Sequence, residues 1–449
     1  MIRVAAASAL IAAIFFRFAR PGLGYYFTAD DVMNLRRAWP EPVWHFARDC
    51  FTFSPVAYRP FGLLEYRAIF ALVGFHPLPF HLISFGFLSF NLVLLAWLAR
   101  RLTGSIKIGL LAALIGCFHS RMDYLYLNTG TIYDVICFTL YVGGLVWYMR
   151  IRQSGKLPDA WQTAFLLPMY LGALNSKEIA ATWPVMLLAY ELLYHGRVQV
   201  RRSWIIWLSS LLTAVFLARK LSSASVLVQG YKPRYSFGTL LQNWEAYTSG
   251  LFYGEGQVRA GVVFVLWLAL LVTALVLRSK ALQFSWVFLF LTPLPVSFIE
   301  TRGLYVWYVP LAGWAVYLAT VIALASRPVR AVPAQAAVFV ACAVLLSLAH
   351  FHDRPNRFRP NDGKNDQVRD FERQIATLHP TLPKGAHILL LDDPFETNEW
   401  TPSSLMQLHY HDSTLEVQRF KQTADRSAIA ASRHDFVFTY RNGAMQEVH

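Results

Sequence analysis

Long apolar runs, separated by connections that are basic in every second place, constrain this chain more than any other feature. The runs lie near residues 4–19, 79–99, 106–120, 131–149, 161–175, 179–195, 203–220, 260–277, 283–299, 304–325 and 333–349. A bilayer core takes about 20 apolar residues in a helix, and several of these runs are shorter. Together they predict eleven transmembrane helices. With the N-terminus cytoplasmic, the inner connections hold Arg3; Arg100, Arg101 and Lys107; Arg150, Arg152 and Lys156; Arg197, Arg201 and Arg202; Arg278 and Lys280; and Arg327 and Arg330. Only Asp159 opposes them. That alternation is what the positive-inside rule requires. An odd number of spans then puts residues 351–449 outside.

Composition agrees. Hydrophobic residues make up 55% and charged residues 15%, against roughly 25% charged in an average soluble domain. That excludes a disordered chain and a single soluble domain. The net charge of +14 would ordinarily suggest nucleic acid. Here the basic residues sit in small groups between apolar runs, so the expected partners are membrane lipids and not nucleic acid. Val4–Phe16 could be a signal peptide, but the exit Phe15-Phe16-Arg17-Phe18-Ala19-Arg20-Pro21 is bulky and basic. An uncleaved first helix is the expectation. Cys50, Cys117, Cys137 and Cys342 form no CxxC pair, so neither a zinc site nor a disulfide framework is implied. Walker, GxGxxG and HExxH motifs are absent from the sequence.

One greasy stretch should not span. Residues 61–75 carry Glu65 and Arg67, and counting them would invert every later loop. They predict an amphipathic helix at the outer interface. The outer loops 20–78 and 221–259 are then long, and long loops are often functional. The membrane module covers 1–350, a polar linker 351–366, and a small α/β domain 367–449. In that domain the spacing predicts helices at Gln367–Leu378 and 403–410, with strands at His387–Leu391, Leu415–Val417 and Phe436–Tyr440. Asp392-Asp393-Pro394 reads as a turn that ends the first strand. The predicted fold class is therefore an α-helical multi-pass membrane protein with a small C-terminal extracytoplasmic α/β domain.

The candidate chemistry gathers on the outer face. Asp30 and Asp31 follow the first span. Adjacent carboxylates raise one another's pKa, which suits a general base; the alternative is a helix N-cap. Lys177 and Glu178 occupy a short outer turn, where ionisable groups are costly. Glu300 and Arg302 form a similar turn, and Arg59 precedes the interfacial helix. His81 and Asn91 fall at helical positions in the second span, with His119, Arg121, Asp123 and Asp134 around the next outer turn. Carboxylates that accept a proton, together with Arg and Lys that neutralise developing charge, suit a reaction with a phosphate leaving group.

These segments resemble the GT-C superfamily of membrane glycosyltransferases, in particular bacterial relatives of the family 39 and transmembrane-and-TPR O-mannosyltransferases. Residues 58–102 are similar to a recurring segment of those enzymes and supply Arg59, Pro60, His81 and Asn91. Ser176-Lys177-Glu178 and residues 302–313, with Arg302 and Tyr305, resemble two further blocks, and Asp30-Asp31 stands at the first-loop acidic pair. No TPR-length repeat follows. The resemblance implies an inverting single displacement at the extracytoplasmic face. The donor would be a polyprenyl-phosphate sugar and the acceptor a protein or glycan hydroxyl, with no cofactor. Asp30 would be the base, with Asp31 as orienter or alternate base. Lys177, Arg302 and Arg59 would bind phosphate, with Glu178, Glu300, His81 and Tyr305 in support. A bacterial inner membrane is the expected location. The alternative is a transporter or flippase for lipid-linked sugar or polysaccharide, although the internal repeat such proteins usually show is not seen. A non-catalytic scaffold that works through its tail is a third reading.

Overall fold

The computed structural model describes residues 2–448, apart from 54–58, 118, 197–202, 223–231, 255, 257, 328–331, 359–363, 398 and 423–432. Arg197, Arg201, Arg202 and Arg330 lie outside the described residues, as do parts of the predicted linker and of the second outer loop.

The chain begins with α1 (Ile2–Ala19) and then lays three helices over one end of the bundle: α2 (Ala29–Ala38), α3 (Val43–Asp49) and α4 (Pro60–Val73). The bundle continues with α5 (Pro77–Thr103), α6 (Ile106–Cys117), α7 (Tyr124–Leu127), α8 (Ile132–Gln153), α9 (Ala160–Leu174), α10 (Trp183–Tyr190) and α11 (Trp204–Ser222). It closes with α12 (Phe237–Leu251), α13 (Ala260–Val276), α14 (Lys280–Leu291), α15 (Tyr308–Ala325) and α16 (Val332–Arg357). Each predicted apolar run contains helix, though not over its whole length. Among the described residues six helices are long and apolar enough to cross a membrane: Val4–Gly24, Pro77–Thr103, Thr129–Gln153, Trp204–Ser222, Leu304–Ala325 and Ala334–Pro355. Ile106–Gly116, Ala260–Val276 and Lys280–Val296 are apolar but shorter. The runs 161–175 and 179–195 fold differently. Pro168 sits inside α9, and the second run is broken into a 3-10 turn Glu178–Thr182, α10 and a π turn Glu191–His195.

The centre of the bundle is α5 packed on α6 and α8, with α15 against α6 and α14. Backbones approach closely where side chains are small: a Cβ on Gly109 would lie 2.6 Å from the Ala96 carbonyl oxygen of α5. Asn91 ties α5 to α8, donating to the Val135 carbonyl at 3.1 Å and accepting from Thr139 at 2.7 Å. The predicted interfacial helix is α4. Pro60 opens it and Gly74, at φ 67°, closes it. Its inner face buries Leu63, Tyr66, Ile69 and Phe70, while Leu72 is exposed.

The predicted linker 351–366 needs correction. α16 continues to Arg357 and α17 (Lys364–Leu378) starts within the same range. The drop in apolar content at His350 marks where α16 changes its surroundings and not where it stops. Asp353 on this extension accepts from Ser120 at 2.7 Å and pairs with Arg121 at 3.2 Å. Phe351 and Phe358 pack edge-on against Phe18.

The C-terminal unit has β1 (His387–Leu390), α18 (Thr401–His409), β2 (Glu416–Arg419), β3 (Phe436–Arg441) and β4 (Ala444–Glu447). The sheet order is β2-β1-β3-β4, parallel except for the β3/β4 hairpin. α17 buries Val368, Phe371 and Ile375, but Leu378, which continues the same spacing, is exposed. Asp393 receives two bonds from the buried Arg419, at 2.7 and 2.9 Å, so the Asp-Asp-Pro turn is a structural clamp. This unit rests on α2 and α4. Arg36 donates to Gln407 at 3.0 Å, Glu372 accepts from Tyr26 and lies 2.9 Å from His409, and His411 packs against Trp39 and Phe70.

Candidate functional site

α2 separates its two carboxylates by helical geometry. Asp31, Leu35 and Ala38 recur at the spacing of one buried face, whereas Asp30, Met33 and Arg37 lie on the exposed one. Thr28 caps the helix, and Asp31 closes the capping box by accepting from the Thr28 backbone N–H at 2.8 Å. The Thr28 hydroxyl donates to the same oxygen at 2.8 Å. The other oxygen accepts from Tyr66 of α4 at 2.8 Å and from Thr129 at 2.7 Å. Thr129 opens the short turn before α8. Burial pushes the Asp31 pKa up, and the bonds from Thr28, Thr129 and Tyr66 pull against it. All its accepting capacity is directed at the protein, so Asp31 fixes α2, α4 and this turn to one another.

Asp30 has water on one side and the body of the protein behind it. A Cβ on Gly130 would stand 3.5 Å from the Asp30 Cβ, so the turn lies directly against the acidic pair. Desolvation raises the Asp30 pKa, the Asp31 charge adds to it, and Arg302 opposes both. The result is a reachable carboxylate that holds its proton more tightly than a free one.

A second set of charges forms where α9 ends. Lys177 is extended, at φ −154° and ψ 143°, so it and Glu178 diverge. The Lys177 Nζ donates to Asp134 of α8 at 2.8 Å and stands over the Tyr305 ring at 5.8 Å. Glu178 pairs with Arg59 at 3.2 Å, and the Arg59 guanidinium lies over Tyr133. Burial pushes Glu178 up, but Arg59, Lys220 and Lys177 outweigh it and hold its pKa at about 2. Arg59, Lys177, Glu178, Lys220 and Arg302 line one cavity of about 420 Å³. The rest of its wall is almost wholly apolar, including Val185, Phe216, Leu217, Leu221, Leu294 and Val296.

Of the predicted residues, Arg59, Lys177, Glu178 and Arg302 are therefore brought together. Asp30 and Asp31 do not line the cavity, but Asp30 lies within the electrostatic reach of Arg302. Tyr305 sits beneath Lys177 and stacks on Tyr124 with centroids 5.4 Å apart. Glu300 is exposed and apart from the cavity lining. His81 is buried and bonds the Tyr25 backbone, which seats the segment leading into α2. His119 and Arg121 belong to a separate junction with Tyr253, His350 and Asp353 at the exit of α16. There burial lowers the His119 pKa to about 4. No set of three or more His, Cys, Asp or Glu suited to a metal occurs among the described residues.

Lys220 is the residue that sequence reasoning missed. The available signal was its place at the predicted outer end of a span, where the positive-inside rule leaves few cations. Tyr66 and Thr129 carried no signal, because their role arises only from long-range packing. Comparison with protein-family models finds no match, and comparison with curated proteins finds none.

Proposed function

We propose that this membrane protein is a glycosyltransferase that moves a sugar from a polyprenyl-phosphate donor to an acceptor hydroxyl, with inversion, at the extracytoplasmic face. The observation that carries this reading is the cavity in which four cations meet an apolar wall, with one of them, Arg302, also acting on Asp30. A lipid-linked phosphate has both halves of that chemistry: a chain for the apolar wall and an anion for Arg59, Lys177, Lys220 and Arg302.

In the reaction, Asp30 accepts the proton of the acceptor hydroxyl as its oxygen bonds the anomeric carbon. The bond from that carbon to the phosphate oxygen breaks, and the lipid phosphate leaves with the electron pair. A placed carboxylate base is worth roughly 10²–10⁴-fold in rate. Asp31 holds α2 in register and does not itself exchange protons. The C-terminal unit, resting on α2 and α4, keeps that end of the bundle covered.

The test is an assay of purified protein with a synthetic polyprenyl-phosphate hexose and an acceptor mixture. Release of polyprenyl phosphate, matched by a glycosylated product of inverted configuration, is the expected result. Absence of release, alongside transport of intact donor into vesicles, would replace the reading by the transporter.

A further inference from the structure

A carboxylate inside a phosphate-binding cavity is a puzzle, because it competes with the substrate for the same cations. Glu178 does so by position: it lines the cavity and takes Arg59 at 3.2 Å. Arg59, Lys220 and Lys177 all act on it strongly enough to hold its pKa at about 2. Lys177 is in turn shared with Asp134. Among the described residues the lining carries four cations and one carboxylate, with a second carboxylate directly behind.

We infer that Glu178 sets the charge of this cavity so that the phosphate monoester formed by transfer can leave, which makes it a positioning residue for product release. The inference rests on the glycosyltransferase reading. The donor is a phosphate diester with one negative charge. When the anomeric C–O bond breaks, the electron pair stays on the phosphate, and the product near neutral pH carries close to two charges. A cavity that holds the donor well therefore holds the product better, and each further uncompensated cation widens that gap. At separations of several ångströms and partial screening, one unit of charge changes binding by roughly tenfold. Glu178 removes one such unit from the cavity field.

The experiment uses the full-length protein in detergent, with farnesyl phosphate as the product probe and farnesol and inorganic phosphate as controls. Glu178→Gln should bind farnesyl phosphate about tenfold more tightly, with KM for donor and kcat falling together. Glu178→Asp should restore kcat toward wild type. Weaker or unchanged binding in Glu178→Gln, or a raised KM with unchanged kcat, would overturn the inference and leave Glu178 as a prop for Arg59. Lys220→Gln reports on the same field if the Glu178 variant does not fold: it should loosen farnesyl phosphate, and unchanged binding would count against the inference. Inorganic phosphate binding as tightly as farnesyl phosphate would overturn the lipid source. Wild type that binds no farnesyl phosphate and transfers no sugar would sink the enzyme reading itself. Wild type that does both, with an indistinguishable Glu178→Gln, would sink only this inference.

Discussion

Two Arg–Glu pairs in the same bundle are built to opposite ends. Arg152 of α8 and Glu191 make two contacts at 2.6 and 3.0 Å, Tyr148 adds a bond at 2.7 Å, and the side chains are only 6% and 2% exposed. Arg59 and Glu178 make their closest contact at 3.2 Å and are 18% and 30% exposed, in the wall of a cavity. The first pair is dry and its bonds are directed inward, so it pins α8 to the end of α10. The second faces open volume beside two lysines. Equal residue types thus give a rivet in one place and an exchangeable contact in the other; burial and the neighbouring lysines make the difference.

The largest effect should come from breaking the rivet. Glu191→Ala leaves Arg152 buried without its carboxylate, a loss of about 3–5 kcal/mol for such pairs, read as a fall in unfolding midpoint in detergent. Glu178→Ala should lower that midpoint less than Glu191→Ala does, because its pair with Arg59 is looser and more exposed. Equal losses in the two variants would erase the distinction drawn here. Next, Lys177→Ala or Arg302→Ala should raise the donor KM by roughly tenfold or more, the worth of a charge-assisted bond. Unchanged donor kinetics would make these residues structural, like Arg152.

Smaller effects concern pH. Burial, then the nearby Asp31, pushes Glu65 of α4 from 4.5 up to about 8. The folded protein therefore holds a proton that the unfolded chain has released. Its contribution to stability is whole below about pH 4.5 and drains away as pH rises through 8. Glu65→Gln should remove that decline in unfolding midpoint across the window, and an unchanged slope would assign it elsewhere. The smallest expected signal is kinetic. Desolvation and Asp31 raise the Asp30 pKa, so the acid limb of kcat/KM should lie above the ordinary carboxylate range and move down in Asp31→Asn.

Much of the helical framework was legible, because long apolar runs favour helix, and among the described residues six helices are long and apolar enough to cross a membrane. Glu65 and Arg67 were the signal that set α4 apart from the predicted spans, and residues 60–73 form one helix. The extension of α16 was not legible: its polar residues resemble a linker until Asp353 is seen on Ser120 and Arg121. β4 was missed although Asn442-Gly443, both at positive φ, carries the usual hairpin signature. Within the candidate site, Arg59, Lys177, Glu178 and Arg302 could be named because charges are conspicuous at a membrane face. The division of labour between Asp30 and Asp31 could not, since it depends on Tyr66 and Thr129, placed 35 and 98 residues along the chain from Asp31.

The most direct measurement is single-turnover transfer from a polyprenyl-phosphate hexose by wild type and Asp30→Asn, with donor binding measured in parallel. Asp30 as general base predicts a rate roughly 10²–10⁴-fold lower with donor affinity preserved. Transfer by Asp30→Asn at the wild-type rate would contradict it.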